Sequence, residues 1–157
     1  MSINHWTQGR AVIDDLLKRG QLERVSASRE LADLMITQAQ THLESSRLLA
    51  SVDTAGAFQL AYDAARKALA AILANEGLRA KGAGAHATLY EAVRAQLHPP
   101  LGKDLEPFSW MRPLRNDTEY PSLERSVASP DDVAEAGTAA AIIIQRASTV
   151  LDSMPVY

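Results

Sequence analysis

The part of the sequence best suited to chemistry is a polar run between prolines at residues 112–121, Arg-Pro-Leu-Arg-Asn-Asp-Thr-Glu-Tyr-Pro. In a helix, Arg115 and Glu119 lie on one face at positions i and i+4, with Tyr120 next to them. Arginine is a planar, permanently charged donor that suits phosphate, so Arg115, with the amide of Asn116 and a phenol beside it, could hold an anion. The residues alone favour the simpler alternative, a surface helix with an Arg115–Glu119 ion pair, and leave phosphate binding open.

The histidines do not form a metal-binding pattern. His5, His42, His86 and His98 lie in different segments, without a second histidine or a Glu-x-x-His pair at helical spacing. His42 falls on an otherwise apolar helix face, which indicates a hydrogen-bonded structural residue. His86 stands beside two glycines at the start of a helix, where it either caps the helix or faces a cleft. We expect no metal ion.

Cofactor-binding loops are also missing. Gly82-Ala83-Gly84 distantly resembles a dinucleotide-binding loop, but it follows a helix rather than a strand. The sequence contains neither a P-loop nor a Gly-x-Ser-x-Gly turn, which excludes the chemistry that depends on those loops. It contains no cysteine, so disulfides and thiol catalysis are excluded as well. We expect no cofactor.

Length and composition predict one globular domain over residues 1–157. The chain is 46% hydrophobic and 22% charged, which is too apolar for disorder. A net charge of −3 argues against a general nucleic-acid binder but allows a local basic cleft. The first residues lack the pattern of a secretion signal, and the longest apolar run, residues 139–144, is too short to span a membrane. We therefore expect a cytoplasmic protein.

Apolar residues recur at helical spacing in nearly every segment, which predicts an all-α helical bundle. Gly20 and Gly77 suit helix C-termini, and Ser129, followed by Pro130 and two aspartates, suits an N-terminus. In the second helix, one face carries Leu31, Leu34, Met35, Ala39, His42 and Leu49. The third has an alanine stripe beside an apolar stripe that includes Tyr62, and is expected to be the central, most buried helix. The predicted helices cover residues 5–19, 28–51, 55–76, 85–97, 113–120 and 129–154.

Two features together resemble HEPN domains, named for higher eukaryotes and prokaryotes nucleotide-binding. Residues 61–73, Ala-Tyr-Asp-Ala-Ala-Arg-Lys-Ala-Leu-Ala-Ala-Ile-Leu, followed by Gly77 and later His86, resemble the second core helix of that family. In these domains a later helix carries an arginine, a polar residue and, after a short gap, a histidine. Arg115-Asn116 followed by Tyr120 is similar to that motif. The resemblance covers roughly residues 28–154.

The resemblance implies an antiparallel bundle of four or five core helices, here with a short extra N-terminal helix. It also implies a homodimer in which two copies of the polar motif meet in one cleft. Active members are metal-independent ribonucleases, in which the ribose 2′-hydroxyl attacks the adjacent phosphate while the arginine stabilises charge and the histidine moves protons. Other members bind nucleotides or act with a nucleotidyltransferase in toxin and antitoxin pairs.

The chain departs from the active pattern at Tyr120, which occupies the position of the family's histidine. A phenol is a poor base at neutral pH. We therefore expect a stand-alone regulatory or binding module of a bacterial toxin-antitoxin, defence or stress system, with RNA, a nucleotide or a protein as its partner. A metal-independent endoribonuclease using Arg115, Asn116 and Tyr120 is the alternative, and a motif that only closes the dimer is a third. The candidate ligand-binding residues are Arg112, Arg115, Glu119 and His86.

Overall fold

The computed structural model describes residues 6–157, which form a bundle of helices with one small β-ladder. The predicted all-α helical bundle is therefore confirmed. In chain order, the elements are α1 (Arg10–Lys18), β1 (Leu22–Arg24), α2 (Arg29–Leu49), α3 (Thr54–Glu76), β2 (Leu78–Ala80), α4 (Ala85–Leu97), α5 (Gly102–Leu105), α6 (Pro107–Glu119) and α7 (Pro130–Leu151). Among these residues, no helix combines the length and apolar character needed to cross a bilayer.

Helix α3 is the centre of the bundle, as its two apolar stripes predict. It packs against α2 and α7 along its length and against α4 and α6 on its remaining sides. Small side chains allow the neighbouring helices to approach closely, because an alanine surface leaves little bulk between two backbones. The fully buried alanines of α3 are Ala57, Ala61, Ala64, Ala65, Ala68 and Ala71.

The helix ends follow local capping chemistry. Ser129 and Asp132 form a capping box at the start of α7, and Pro130 occupies its first turn. At the end of α3, Gly77 adopts a left-handed conformation with φ of +83°. A Cβ atom at Gly77 would lie 2.9 Å from the carbonyl oxygen of Val25, so glycine is needed there for both conformation and space. Both boundaries confirm the sequence prediction.

A short antiparallel ladder was not predicted from the sequence. Strand β1 pairs with β2 so that Leu22 faces Ala80 and Arg24 faces Leu78. Each strand has only three residues, too few for an alternating pattern to be recognised. The ladder connects the segment after α1 to the turn between α3 and α4, and thereby fixes the loop that precedes His86.

Two helix boundaries differ from the prediction. The leading helix begins at Arg10, directly after Gly9 with φ of +77°, rather than near residue 5, which lies outside the described residues. Helix α6 begins at Pro107, well before the predicted start at residue 113, and Pro113 lies inside it. Proline removes one backbone hydrogen bond from a helix interior. The helix continues because Phe108 and Met111 on its first turns are fully buried.

The buried face of α2 also differs from the predicted stripe. Leu31 and Leu34 are 45% and 53% exposed, whereas the buried residues are Ala32, Ile36, Ala39, Leu43 and Ser46. Both sets have helical spacing, and the alanine-rich surface of α3 selects the set that includes small residues. His42 is half-buried at the edge, with Nε2 2.8 Å from Nζ of Lys67, in agreement with a structural role.

Candidate functional site

The polar run of α6 is positioned by aromatic packing against α3. The ring of Phe108 stacks on the ring of Tyr62 with centroids 5.1 Å apart and an interplanar angle of 15°. Trp110 contacts Phe58 at a centroid distance of 6.2 Å. Because these contacts fix the start of the helix, the residues one and two turns after Phe108 lie beside α3. Those residues include Arg112 and Arg115.

A cleft of about 310 Å³ lies between the polar run and the start of α4. Arg112 and Asn116 line it from α6, where their i, i+4 spacing places them on one face. His86 lines the opposite side, in the first turn of α4. The remaining lining residues are Gly82, Gly84, Ala85 and Ala87.

The first turn of α4 contributes unpaired backbone donors to this cleft. The helix starts after Gly84, whose φ is +77°, and no side chain caps it. The first N–H groups of a helix have no partner inside the helix, and they form the positive end of its dipole. The backbones of His86 and Ala87 therefore add positive character to the wall that faces Arg112 and Asn116.

Behind the cleft, His86 is hydrogen-bonded to the buried phenol of Tyr62. Nδ1 of His86 lies 2.9 Å from the hydroxyl oxygen of Tyr62, and the two rings are 5.8 Å apart. Tyr62 is completely buried as a residue, and the guanidinium carbon of Arg115 lies 5.9 Å from the centre of its ring. Tyr62 therefore belongs both to the core, as the sequence predicts, and to the polar site.

Burial and the nearby arginines set the protonation states of this pair. Burial raises the pKa of Tyr62 to about 12, although Arg115 and Arg66 oppose the rise. Burial is also the main cause that lowers the pKa of His86, and the positive charges of Arg66 and Arg115 lower it further. Near neutral pH the phenol therefore keeps its proton, and the imidazole is neutral.

The charges around the pair are predominantly positive. Arg66 makes an ion pair with Asp63 in which Nε lies 3.1 Å from Oδ1. Neither Arg112 nor Arg115 takes part in an ion pair with another residue of 6–157. The site thus brings together three guanidinium groups and one carboxylate, on a chain whose net charge is −3. Such a local excess favours an anionic ligand.

The structure separates the predicted site residues into two groups. Arg112, Arg115, Asn116 and His86 surround the cleft or the phenol behind it. Tyr120 follows the last residue of α6 and is 73% exposed. The predicted Arg115–Glu119 ion pair is wrong, since it is absent from the ion pairs of residues 6–157, and Arg115 instead donates weakly to Oδ1 of Asn116 at 3.4 Å.

Two contributors were not recognised as site residues from the sequence. The sequence indicates only a core position for Tyr62 and only membership of a helix of the family type for Arg66. Polar residues at i, i+1 and i+4 within an alanine-rich helix, here Tyr62, Asp63 and Arg66, are the signal that marks this side of α3.

A second, mainly apolar groove of about 570 Å³ adjoins the site. It runs between α2, α3 and the start of α4, and it shares His86 and Ala85 with the cleft, while Arg66 lines it from α3. Its aliphatic lining includes Leu31, Met35, Ala70, Leu73 and Leu89. Within residues 6–157, no cluster of three or more His, Cys, Asp or Glu side chains could hold a metal ion.

The structure defines the chain as an all-α helical bundle with a cationic cleft between α4 and α6. The comparison with family models identifies the family: the HEPN domain model matches residues 32–150, and the chain belongs to the HEPN family. No curated protein and no solved structure matches the chain.

Proposed function

We propose that this HEPN domain binds a phosphate-bearing ligand, RNA or a nucleotide, in the cleft between α4 and α6. The observation that supports this most directly is the convergence of Arg66, Arg112 and Arg115 on a site with a single nearby carboxylate, Asp63. Guanidinium groups recognise phosphate through paired, charge-assisted hydrogen bonds.

The cleft offers several kinds of donor to one phosphate. Arg112 supplies a charged fork, the Asn116 amide supplies a neutral donor, and the uncapped start of α4 supplies backbone N–H groups. Arg115 lies over the Tyr62 ring, which limits the freedom of its side chain before a ligand arrives. Glu119, the remaining residue proposed from the sequence, is not among the residues that line the cleft.

In this proposal the protein acts in the cytoplasm as a homodimeric regulatory or binding component of a bacterial toxin-antitoxin, defence or stress system. A cognate protein such as a nucleotidyltransferase is a further proposed partner. The exposed leucines of α2, Leu31 and Leu34, provide apolar surface for such contacts. Sedimentation equilibrium tests the dimer: a monomer at all concentrations would remove that part of the proposal.

A metal-independent endoribonuclease is the second candidate, and it is favoured by Asn116 in the cleft and by Arg115 over the Tyr62 ring behind it. In that reaction the ribose 2′-oxygen attacks phosphorus and the bond to the 5′-oxygen breaks, giving a 2′,3′-cyclic phosphate and a 5′-hydroxyl. Arg115 would stabilise the charge that develops on the phosphate. The proton of the 2′-hydroxyl would pass to solvent water, and Tyr120, which is exposed after α6, would donate a proton to the leaving 5′-oxygen and regain one from solvent.

The test uses two RNA probes that separate binding from cleavage. A fluorescent 2′-O-methyl oligouridine lacks the attacking hydroxyl and reports binding alone through its anisotropy. Unmodified cellular RNA in chelator reports metal-independent cleavage. We expect the oligouridine to bind the wild type, and the double variant Arg112→Ala, Arg115→Ala to lose at least about tenfold in affinity.

Arg125→Ala is the matched control, since Arg125 pairs with Asp117 near the end of α6 and lies outside the cleft. It should bind like the wild type. The binding proposal would be refuted if the folded wild type bound none of three probes: the oligouridine, a nucleotide and inorganic phosphate. Cleavage that disappears in both Arg115→Ala and Tyr120→Phe would establish the ribonuclease instead.

A further inference from the structure

The hydrogen bond between Tyr62 and His86 uses one nitrogen of the imidazole and leaves the other available to a ligand. Nδ1 faces the Tyr62 hydroxyl at 2.9 Å, and this is the only side-chain hydrogen bond of either residue among the residues described. Because Nδ1 is occupied, Nε2 is the nitrogen left for a bound molecule. His86 lines the adjoining groove as well as the cleft, but Arg112 and Asn116 line the cleft alone, and we take the ligand of the proposed site to be that molecule.

We infer that His86 and Tyr62 form a proton-handling pair for the bound phosphate, in which the phenol fixes the ring and His86 presents Nε2–H to the ligand. The inference rests on the proposed phosphate-binding function and adds a role that the α6 motif does not supply. In the α6 motif, Tyr120 stands where the family has histidine. His86 of α4 would supply the site with an imidazole from a different helix.

A phenol is suited to this position because its hydroxyl can both donate and accept. With a neutral ring, the Tyr62 hydroxyl donates to Nδ1, and the single ring proton is on Nε2. With a charged ring, Nδ1–H donates to the Tyr62 oxygen, and Nε2–H remains directed to the ligand. The contact therefore satisfies both forms of His86 without any movement of side chains.

The surrounding charges favour proton uptake when an anion binds. His86 faces Arg66 and Asp63 from α3, Arg112 and Arg115 from α6, and shares the apolar groove with Arg79 of β2. Without a ligand, the arginines disfavour a further positive charge on the ring. A bound phosphate compensates those charges and adds a direct attraction, so the imidazolium becomes the favoured form.

The consequence is a binding reaction linked to pH. A phosphodiester has the same charge throughout the range in which histidine titrates, so any pH dependence comes from the protein. We expect affinity for the 2′-O-methyl oligouridine to increase as pH falls, by up to about tenfold per pH unit, between the pKa of His86 in the complex and that in the free protein.

Isothermal titration calorimetry tests this directly. Binding of the oligouridine is measured in buffers with different ionisation enthalpies and over a range of about pH 5 to 8. We expect wild type to take up as much as about one proton per site. His86→Gln should abolish the uptake and flatten the pH dependence. His42→Gln is the matched control and should retain both, since His42 bonds to Lys67 outside the cleft.

A second measurement does not depend on the variant's folding. The ¹H–¹³C signal of the His86 ring in the wild type, titrated with and without oligouridine, should show a higher pKa in the complex. Binding without proton uptake, or with an unchanged His86 titration, would overturn the inference and leave the binding function intact. Absence of binding would overturn both.

Discussion

The guanidinium carbon of Arg115 lies 5.9 Å from the centre of the buried Tyr62 ring, and no acidic side chain of residues 6–157 forms an ion pair with it. A cation over an aromatic face is stabilised without using its N–H donors in strong hydrogen bonds. Arg115 is therefore held in place by α3 while most of its donors remain available for an anion.

Replacement of Arg115 by lysine should show that the planar group matters, and not only its charge. Lysine keeps the positive charge but lacks the paired donors and the flat contact with Tyr62. We expect the oligouridine affinity of Arg115→Lys to lie between that of wild type and Arg115→Ala, with the alanine variant roughly tenfold weaker than wild type. Fluorescence anisotropy measures all three.

Salt dependence adds a check on the same residue. Loss of one phosphate contact should reduce the slope of log affinity against log salt by about one in Arg115→Ala, and leave it nearly unchanged in Arg115→Lys. Equal slopes for wild type and Arg115→Ala would mean that Arg115 does not contact phosphate. The alternative that it only closes the dimer would then be tested by the oligomeric state of the variant.

Tyr62 of the site and Tyr120 after α6 should differ sharply in their effect on stability. Tyr62→Phe removes a buried hydroxyl and leaves Nδ1 of His86 without a partner, which should lower the free energy of unfolding by about 1 kcal/mol. Tyr120→Phe should change it by less than about 0.5 kcal/mol, since Tyr120 is 73% exposed. Urea denaturation compares them. Equal losses of unfolding free energy in the two variants would contradict the prediction, because they would require the Tyr120 hydroxyl to make a stabilising contact.

Glu76 should make stability depend on pH. It is 1% exposed, its Oε1 accepts a hydrogen bond from Nε2 of Gln96 at 3.0 Å, and its Oε2 has no partner. Burial raises the pKa of Glu76 to about 8, from an ordinary value of 4.5. The folded state thus prefers the protonated form, and this contribution to stability is complete below about pH 4.5 and is lost as pH rises through about 8.

Glu76→Gln, which stays neutral, should remove this loss. The free energy of unfolding of wild type should fall relative to the variant as pH rises from about 5 to about 8, by at most roughly 1.4 kcal/mol per pH unit. Glu124→Gln, in the exposed loop before α7, is the matched control and should leave the slope as in wild type. Parallel stability curves for wild type and Glu76→Gln would contradict the prediction.

The capping box at the start of α7 should contribute measurably to stability. The Ser129 hydroxyl accepts from the backbone N–H of Asp132, and the Asp132 carboxylate accepts from the backbone N–H of Ser129 at 2.8 Å. We expect Ser129→Ala to lower the free energy of unfolding by about 1 kcal/mol. Thermal unfolding measures this loss. Ser126→Ala, in the exposed segment just before α7, should have no effect in that assay.

Much of the fold follows from local chemistry that the sequence displays directly. Gly77 and Ser129 mark helix ends because the preference for a left-handed turn or a side-chain cap depends only on adjacent residues. Arg112, Arg115 and Asn116 share one side of α6 for the same reason, since helical spacing alone brings them together. Even so, the predicted start of α6 at residue 113 is wrong, because burial of Phe108 and Met111 outweighs the proline at that position.

Only the tertiary structure decides which of several helical faces is buried and which distant residues meet. On α2, two stripes have equal helical spacing, and packing against the alanines of α3 leaves Leu31 and Leu34 exposed. Tyr62 and His86 are far apart in sequence and belong to different helices, so no local pattern relates them. Their contact depends on how α3, α4 and α6 pack, and that packing is a property of complementary surfaces rather than of any single segment.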